Sequence, residues 1–241
     1  MKVIAVIPAR LASTRLPRKM LREVQGRPLV TWVYNAVRSC SLLDDVVVAT
    51  DSEEILEVCR RHSCNALITS DKHRSGTDRI HEISGKIAAD AYINVQGDEP
   101  MVRAEQIDTI VQLMRRVEVA VGTLKTSARP EDVSNPNAVK IVTDLSGRAL
   151  YFSRATIPYD RDHTSPKYFK HLGIYAYRKP ALDRFVALSE SSLEKAERLE
   201  QLRFLENGIP IYAAETPFDS IGVDTEEDLA RVQGILSTRQ S

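Results

Sequence analysis

The chain predicts an α/β fold: a mostly parallel, mixed sheet flanked by helices, with a β-rich region inserted in its second half. Three observations carry this. Short apolar runs alternate with helix-periodic stretches over the first half. The runs are continuous rather than alternating, as in strands buried on both faces. Beyond them, strand-like stretches follow one another closely. The 241 residues suit a single domain, 1–241, with 119–178 as the β-rich insertion.

The elements follow in order. Val3 to Ile7 is a β-branched run, hence a buried strand, and a polar, basic loop from Arg10 to Lys19 comes after it. Pro28 suits a first helical turn, and Leu29, Trp32, Val33, Ala36 and Val37 share one face of the helix it opens. Val46 to Ala49 is the next strand. Asp51-Ser52 begins a helix ending near His62, and Ala66 to Ile68 is a short third strand. Helices over Thr77 to Ile87 and Gln106 to Val117 bracket a strand from Ala91 to Val95. In the second half, Val119 to Leu124, Val139 to Thr143, Ala149 to Ser153 and Gly173 to Tyr177 read as strands, with a turn at Asp144 to Gly147. A helix from Leu193 to Glu206 stops at Asn207-Gly208, Ile209 to Ala213 is a strand, and Thr225 to Asp228 resembles a capping box before a helix over Leu229 to Leu236.

Composition narrows the partners. Lys plus Arg equals Asp plus Glu, 33 each. This balance argues against nucleic acid or an anionic membrane as the main partner, so any anion site is local. Cys40, Cys59 and Cys64 are an odd set without CxxC spacing, and read as buried thiols in a reducing compartment. Pro8 and Arg10 cut the first apolar run too short for a signal peptide, and no run approaches the roughly 18 residues of a membrane span. The expectation is a cytoplasmic protein.

In parallel α/β sheets ligands sit outside the carboxyl ends of the strands. The polar segments Arg10 to Lys19, Thr50-Asp51 and Gln96 to Pro100 fall there. Arg10, Arg15, Arg18 and Lys19 interleave with Ser13 and Thr14, without a Walker A or GxGxxG pattern. Such a loop is either solvated or a grip for phosphates, with Arg suited to paired oxygens and Lys to a point charge. Asp98 follows a buried strand and Gly97, and Asp224 precedes the last helix. The pair reads either as turn and helix-end residues or as two magnesium carboxylates. Glu200 and Gln201 are ordinary helix residues on pattern alone. Arg154 and His171 stand at strand ends, where a structural role competes with a ligand role.

The strings that hold these residues resemble, in order, the CMP-Kdo synthetase family. They are Ile7-Pro-Ala-Arg-Leu-Ala-Ser-Thr-Arg-Leu-Pro-Arg-Lys19, Ser75-Gly-Thr-Asp-Arg79, Asn94-Val-Gln-Gly-Asp-Glu-Pro100, Asn135-Pro-Asn-Ala-Val-Lys140, Ala149-Leu-Tyr-Phe-Ser-Arg-Ala-Thr-Ile-Pro158, His171-Leu-Gly-Ile-Tyr175, Leu199-Glu-Gln-Leu-Arg203 and Gly222-Val-Asp-Thr-Glu-Glu-Asp-Leu229. The resemblance runs from residue 3 to about residue 232. It departs at Arg18, where the family usually has Gly, and at Met20, where it often has Pro.

The resemblance implies a Rossmann-like fold of the nucleotide-diphospho-sugar transferase type. It implies a cytidylyltransferase that moves CMP from CTP to the anomeric hydroxyl of Kdo (3-deoxy-D-manno-octulosonate), releasing pyrophosphate, for lipopolysaccharide biosynthesis in a Gram-negative cytoplasm. Arg10, Lys19 and Asp98 are then catalytic. Arg10, Ser13, Arg15, Lys19, Arg74, Ser75, Gly76 and Asp98 bind nucleotide. Gln96, Arg154, His171, Tyr175, Glu200 and Gln201 bind the acidic eight-carbon sugar. Asp98 and Asp224 hold Mg2+, and the β-rich insertion contributes to sugar binding and to a homodimer. Competing readings are the same chemistry on 8-amino-Kdo or sialic acid, a catalytically inactive nucleotide-binding regulator, and a scaffold.

Overall fold

The computed structural model describes residues 1–13, 15–73 and 75–239, the side chains of 238 and 239 excepted. The chain forms two compact units, Met1–Asp108 with Ser220–Ser241, and Thr109–Asp219.

The first unit opens with β1 (Val3–Ala9), buried at every position. The basic loop leads into a 3-10 turn, Lys19–Leu21, entered through Arg18 in the left-handed region (φ 55°). The site where the resembling family usually has Gly is thus a conformation that glycine adopts freely. The small hairpin β2 (Glu23–Val24) and β3 (Arg27–Pro28) precedes α1 (Leu29–Arg38). Then come β4 (Asp45–Thr50), α2 (Glu53–Arg61), β5 (Ala66–Ile68), α3 (Gly76–Lys86), β6 (Ala91–Asn94) and α4 (Ala104–Met114), within which the chain enters the second unit. Ser52 caps α2, accepting from the Ile55 amide at 3.4 Å. Ser75 and Asp78 form a reciprocal box on α3, each contact 3.1 Å.

The strands of this unit lie in the order β6-β1-β4-β5, all parallel, with Ile4 between Tyr92 and Asp45. The parallel register brings the ends of β1, β4 and β6 to one edge, and the polar segments emerge there as the sequence predicts.

In the second unit, β7 (Val121–Ser127), α5 (Pro130–Val133), β8 (Lys140–Thr143), β9 (Ala149–Ser153) and β10 (Phe169–Arg178) are followed by α6 (Lys179–Ala187), α7 (Ser192–Glu197), α8 (Gln201–Glu206) and β11 (Ile211–Glu215). β10 runs antiparallel to β7 and β8, β8 antiparallel to β9, and β11 parallel to β7. The predicted helix Leu193 to Glu206 is two helices, broken at Arg198, which is left-handed (φ 53°). β10 is longer than predicted and bulges between Leu172 and Tyr175. Gly147 makes the predicted turn at φ 85°.

The chain returns to the first unit for α9 (Glu226–Arg239). The predicted capping box is present: the Asp228 amide donates to Thr225 Oγ1 at 3.1 Å, and Asp228 Oδ2 accepts from the Thr225 amide at 3.0 Å. α9 begins at Glu226 rather than Leu229, because the acidic residues after Thr225 form its first turn. Its apolar face, Leu229, Val232 and Leu236, shares a cluster with Leu16, Val24, Leu29, Met101 and Val223. All three cysteines are free and buried, and burial pushes Cys40 and Cys64 up to about 11 and Cys59 to about 12. No described helix is long and apolar enough to cross a membrane.

Candidate active site

A cleft of about 430 Å³ opens at the carboxyl edge of the first unit's sheet. Pro8, Arg10, Ala12, Ser13, Arg15, Lys19, Met20, Gly76, Gln96, Asp98 and Asp224 line it. The predicted nucleotide and metal residues Arg10, Ser13, Arg15, Lys19, Gly76, Asp98 and Asp224, with Gln96, therefore come together. Arg74 lies outside the described residues.

The basic loop, the Asp98 and Asp224 segments and the start of α3 are each held by an apolar, main-chain or capping contact. Leu16, 1% exposed, pins the middle of the basic loop into the α9 cluster. Gly97 lies so close to β1 that a Cβ there would meet the Pro8 carbonyl oxygen at 2.8 Å and Met20 Sδ at 3.1 Å. Only glycine allows the Asp98 turn to approach this closely. The Val223 amide donates to the Asp98 carbonyl at 2.9 Å, stitching the two aspartate segments together. Ser75 uses its hydroxyl to cap α3, and Gly76 rests against the Pro8 ring.

The charged groups form a compact set. Lys19 is 8% exposed, and its Nζ donates to Asp98 Oδ2 at 2.6 Å and Asp224 Oδ1 at 2.9 Å. Arg15 Nη2 lies 2.9 Å from Asp224 Oδ2. Burial works to lower the Lys19 pKa, but the charges and hydrogen bonds of Asp98 and Asp224 outweigh it and hold it above the ordinary lysine value. Two cations and two carboxylates thus nearly cancel, and a ligand carrying both phosphates and a metal ion can exchange with each in turn.

The remaining predicted residues belong to the second unit. Thr123 Oγ1 lies 2.9 Å from the Ile174 carbonyl and 3.0 Å from His171 Nε2. A hydroxyl has one proton, so donation to the carbonyl assigns the imidazole proton to Nε2. Burial pushes His171 down to about 3, so the ring is neutral near pH 7. A row of rings runs from Phe152 through His171, Tyr175 and Tyr177 to Phe204 and Phe185, with centroids 4.5–5.8 Å apart. Arg154 donates from Nε to the Glu197 carbonyl at 2.8 Å and from Nη1 to the Pro136 carbonyl at 2.9 Å, so its guanidinium braces the backbone. Glu200 and Gln201 stand at the start of α8, Gln201 7% exposed.

Sequence reasoning passed over Leu16, Val223 and Arg79, which shape the cleft from behind. Arg79 carries a readable signal, a cation beside Ile80 and Ile83 on the buried side of α3.

The sequence profile of the cytidylyltransferase family matches residues 4–215. The chain belongs to that family. The 3-deoxy-manno-octulosonate cytidylyltransferase of Koribacter versatilis is 65% identical over 239 residues, spanning 99% of this chain and 91% of that one. The enzyme of the same name from Acidobacterium capsulatum is 52% identical, covering 100% of this chain and 98% of its own. A solved CMP:2-keto-3-deoxy-manno-octonic acid synthetase complexed with CTP matches with a TM-score of 0.96 at 39% identity, over 99% of this chain and 100% of that one. The family resemblance, the enzyme class and the mixed α/β fold read from the sequence are thereby borne out.

In this cytidylyltransferase the donor set decides which cation the cleft suits. Among the described residues no three His, Cys, Asp or Glu side chains converge as a metal cage. Asp98 and Asp224 instead offer two carboxylates around one cation position, now filled by the Lys19 ammonium. Magnesium prefers one or two carboxylates, with substrate phosphates and waters completing its shell, so these residues fit it.

Proposed function

We propose that the chain transfers the CMP group of CTP to the anomeric hydroxyl of Kdo, releasing pyrophosphate and supplying an activated sugar for lipopolysaccharide synthesis in the cytoplasm. The observation that carries this reading is the meeting of Lys19 with Asp98 and Asp224 in a cleft also lined by Arg10, Ser13 and Arg15. The names of the relatives supply the nucleotide and the sugar. Homodimerisation through the β-rich insertion is part of the proposal, and rests on the family resemblance.

In the proposed reaction the anomeric hydroxyl oxygen attacks the α-phosphorus in line, its proton passes to solvent, and the bond from the α-phosphorus to the oxygen bridging to the β-phosphate breaks, releasing pyrophosphate. Such transfers depend on positioning and charge stabilisation, and no side-chain nucleophile is required. Asp98 and Asp224 would hold magnesium, which supplies positive charge to the phosphates. Lys19, kept protonated by its carboxylates, turns to the phosphates when they arrive. Arg10 and Arg15 take up charge on the departing pyrophosphate, and Ser13 donates to a phosphate oxygen. His171, with Nε2–H tied to Thr123, presents its other ring nitrogen as an acceptor for a sugar hydroxyl. Tyr175, Gln96, Glu200 and Gln201 are the other proposed sugar contacts, while the Arg154 guanidinium, engaged with backbone carbonyls, serves by bracing the loops around them.

Pyrophosphate release tests the reading, with CTP, Mg2+ and Kdo each omitted in turn, and UTP, 8-amino-Kdo and sialic acid as substitutes. Release that requires all three components supports it. Release with sialic acid but not Kdo would keep the chemistry and discard the sugar.

A further inference from the structure

We infer that Arg79 is a positioning residue for the nucleotide, acting through Asp51 on the main chain of the phosphate loop. This rests on the reading of the cleft proposed above. Arg79 is 0% exposed, an unusual place for a guanidinium. Its Nη2 donates to Asp51 Oδ2 at 2.9 Å, and its Nη1 donates to Thr69 Oγ1. The other oxygen of Asp51 accepts the Leu11 amide at 3.3 Å. Thr69 is tied to the end of β4 by two bonds to the Thr50 carbonyl, 2.8 Å from its amide and 3.1 Å from its hydroxyl. One buried cation therefore joins three segments at the carboxyl edge of the sheet: the start of the basic loop, the β4–α2 turn and the end of β5.

Leu11 lies between Arg10 and Ala12, which line the cleft. On α3, Arg79 sits one turn in from Gly76, which forms another part of the cleft wall. The Arg79–Asp51–Leu11 relay fixes the distance between these two walls. Stability alone is a poor reason for such a pair, because apolar residues of similar volume often serve a buried site as well or better. Charge-assisted hydrogen bonds have direction, and direction is what a loop requires to present Arg10 and Ser13 to phosphates. Among the described residues Arg79 Nε has no hydrogen-bond partner, so this guanidinium is not placed to satisfy every donor.

The test combines Arg79→Met with Asp51→Leu, so that neither charge is left buried alone. Thermal melting and calorimetric CTP binding are measured on the same purified full-length chain. The expected result is a melting temperature within a few degrees of wild type, with CTP binding weakened about 10-fold. KM for CTP should rise in parallel while KM for the acceptor sugar stays within about 2-fold. A folded double variant with unchanged CTP affinity overturns the positioning role. If that variant does not fold, Asp51→Asn carries the test: it keeps an oxygen for Leu11 but loses the charge that Arg79 holds. Weaker CTP binding is again expected, and unchanged binding again overturns the role. A wild-type chain that binds no CTP overturns the proposed function and this inference together.

Discussion

Asp98 and Asp224 share one ammonium: Lys19 Nζ lies 2.6 Å from an oxygen of the first and 2.9 Å from an oxygen of the second. The lysine holds two like charges together, in the position a divalent ion would take. On the function proposed above, lysine and metal would compete for these carboxylates until phosphates engage the lysine. Lys19→Met should tighten Mn2+ binding about 10-fold in the absence of nucleotide, since one positive charge leaves the site. Electron paramagnetic resonance of free Mn2+ measures this. The same variant should lose about 100–1,000-fold in turnover, the usual effect of removing one charge-stabilising donor. Unchanged or weaker Mn2+ affinity would show that the ion does not use the Asp98–Asp224 position.

Gly97 permits the approach of the Asp98 turn to β1. In Gly97→Ala the new methyl would lie 2.8 Å from the Pro8 carbonyl oxygen, so the backbone must retreat and carry Asp98 with it. The expected cost is about 1–3 kcal/mol in stability, with a drop in kcat/KM on the order of 10–100-fold. Adding Met20→Ala relieves the sulfur contact but not the carbonyl contact, so it should restore only part of the loss. Full recovery would mean that Met20, not the Pro8 backbone, sets the limit.

Leu16 links the charged loop to the hydrophobic cluster under α9. Leu16→Ala should destabilise the protein by about 2–4 kcal/mol, as large-to-small changes at buried leucines do. Urea unfolding measures this. Nucleotide binding should weaken at temperatures where the fold persists, because the loop loses its anchor. A destabilised variant with wild-type nucleotide affinity would show that the loop keeps its shape without Leu16.

His171 gives the fold a pH dependence. Its pKa is about 3 in the folded protein and 6.5 as a free side chain, because burial disfavours the charged ring. Between these values the unfolded chain binds the proton and the folded protein does not. Stability from this group is therefore complete above about pH 6.5 and declines as pH falls toward 3, by up to about 1.4 kcal/mol per unit. Urea midpoints of wild type and His171→Gln, compared from pH 7.5 to 4.5, should converge as the pH drops. Parallel curves would remove His171 as the source.

Much of this architecture is legible in the chain itself, for physical reasons that differ by region. Strands buried on both faces announce themselves by continuous apolar runs, so the parallel unit and its polar edge were readable. The box at Thr225 rests on contacts within four residues, and local contacts leave local patterns; the equally local box at Ser75 was not read. The helix predicted over Leu193 to Glu206 failed because Arg198 turns left-handed, which helical periodicity does not reveal. The full length of β10 depends on pairing with β7 across a bulge, a long-range matter. α6 was missed although Pro180 stands in its first turn, the same signal that was read at Pro28. The convergence of Asp98 with Asp224, and the engagement of Arg154 with backbone carbonyls, likewise depend on contacts far apart in the chain.

The bond between Lys19 and Asp224 spans 205 positions. A ribosome adding about 5–20 residues per second needs roughly 10–40 s to cover that distance. Until the end of that interval the nascent first unit has its basic loop but lacks Asp224, and Val223 is not yet there to tether the Asp98 turn. The cleft is therefore assembled last, after the whole excursion through residues 109–219 has been made. A growing chain therefore carries no complete set of Lys19, Asp98 and Asp224 until the last of them has been added.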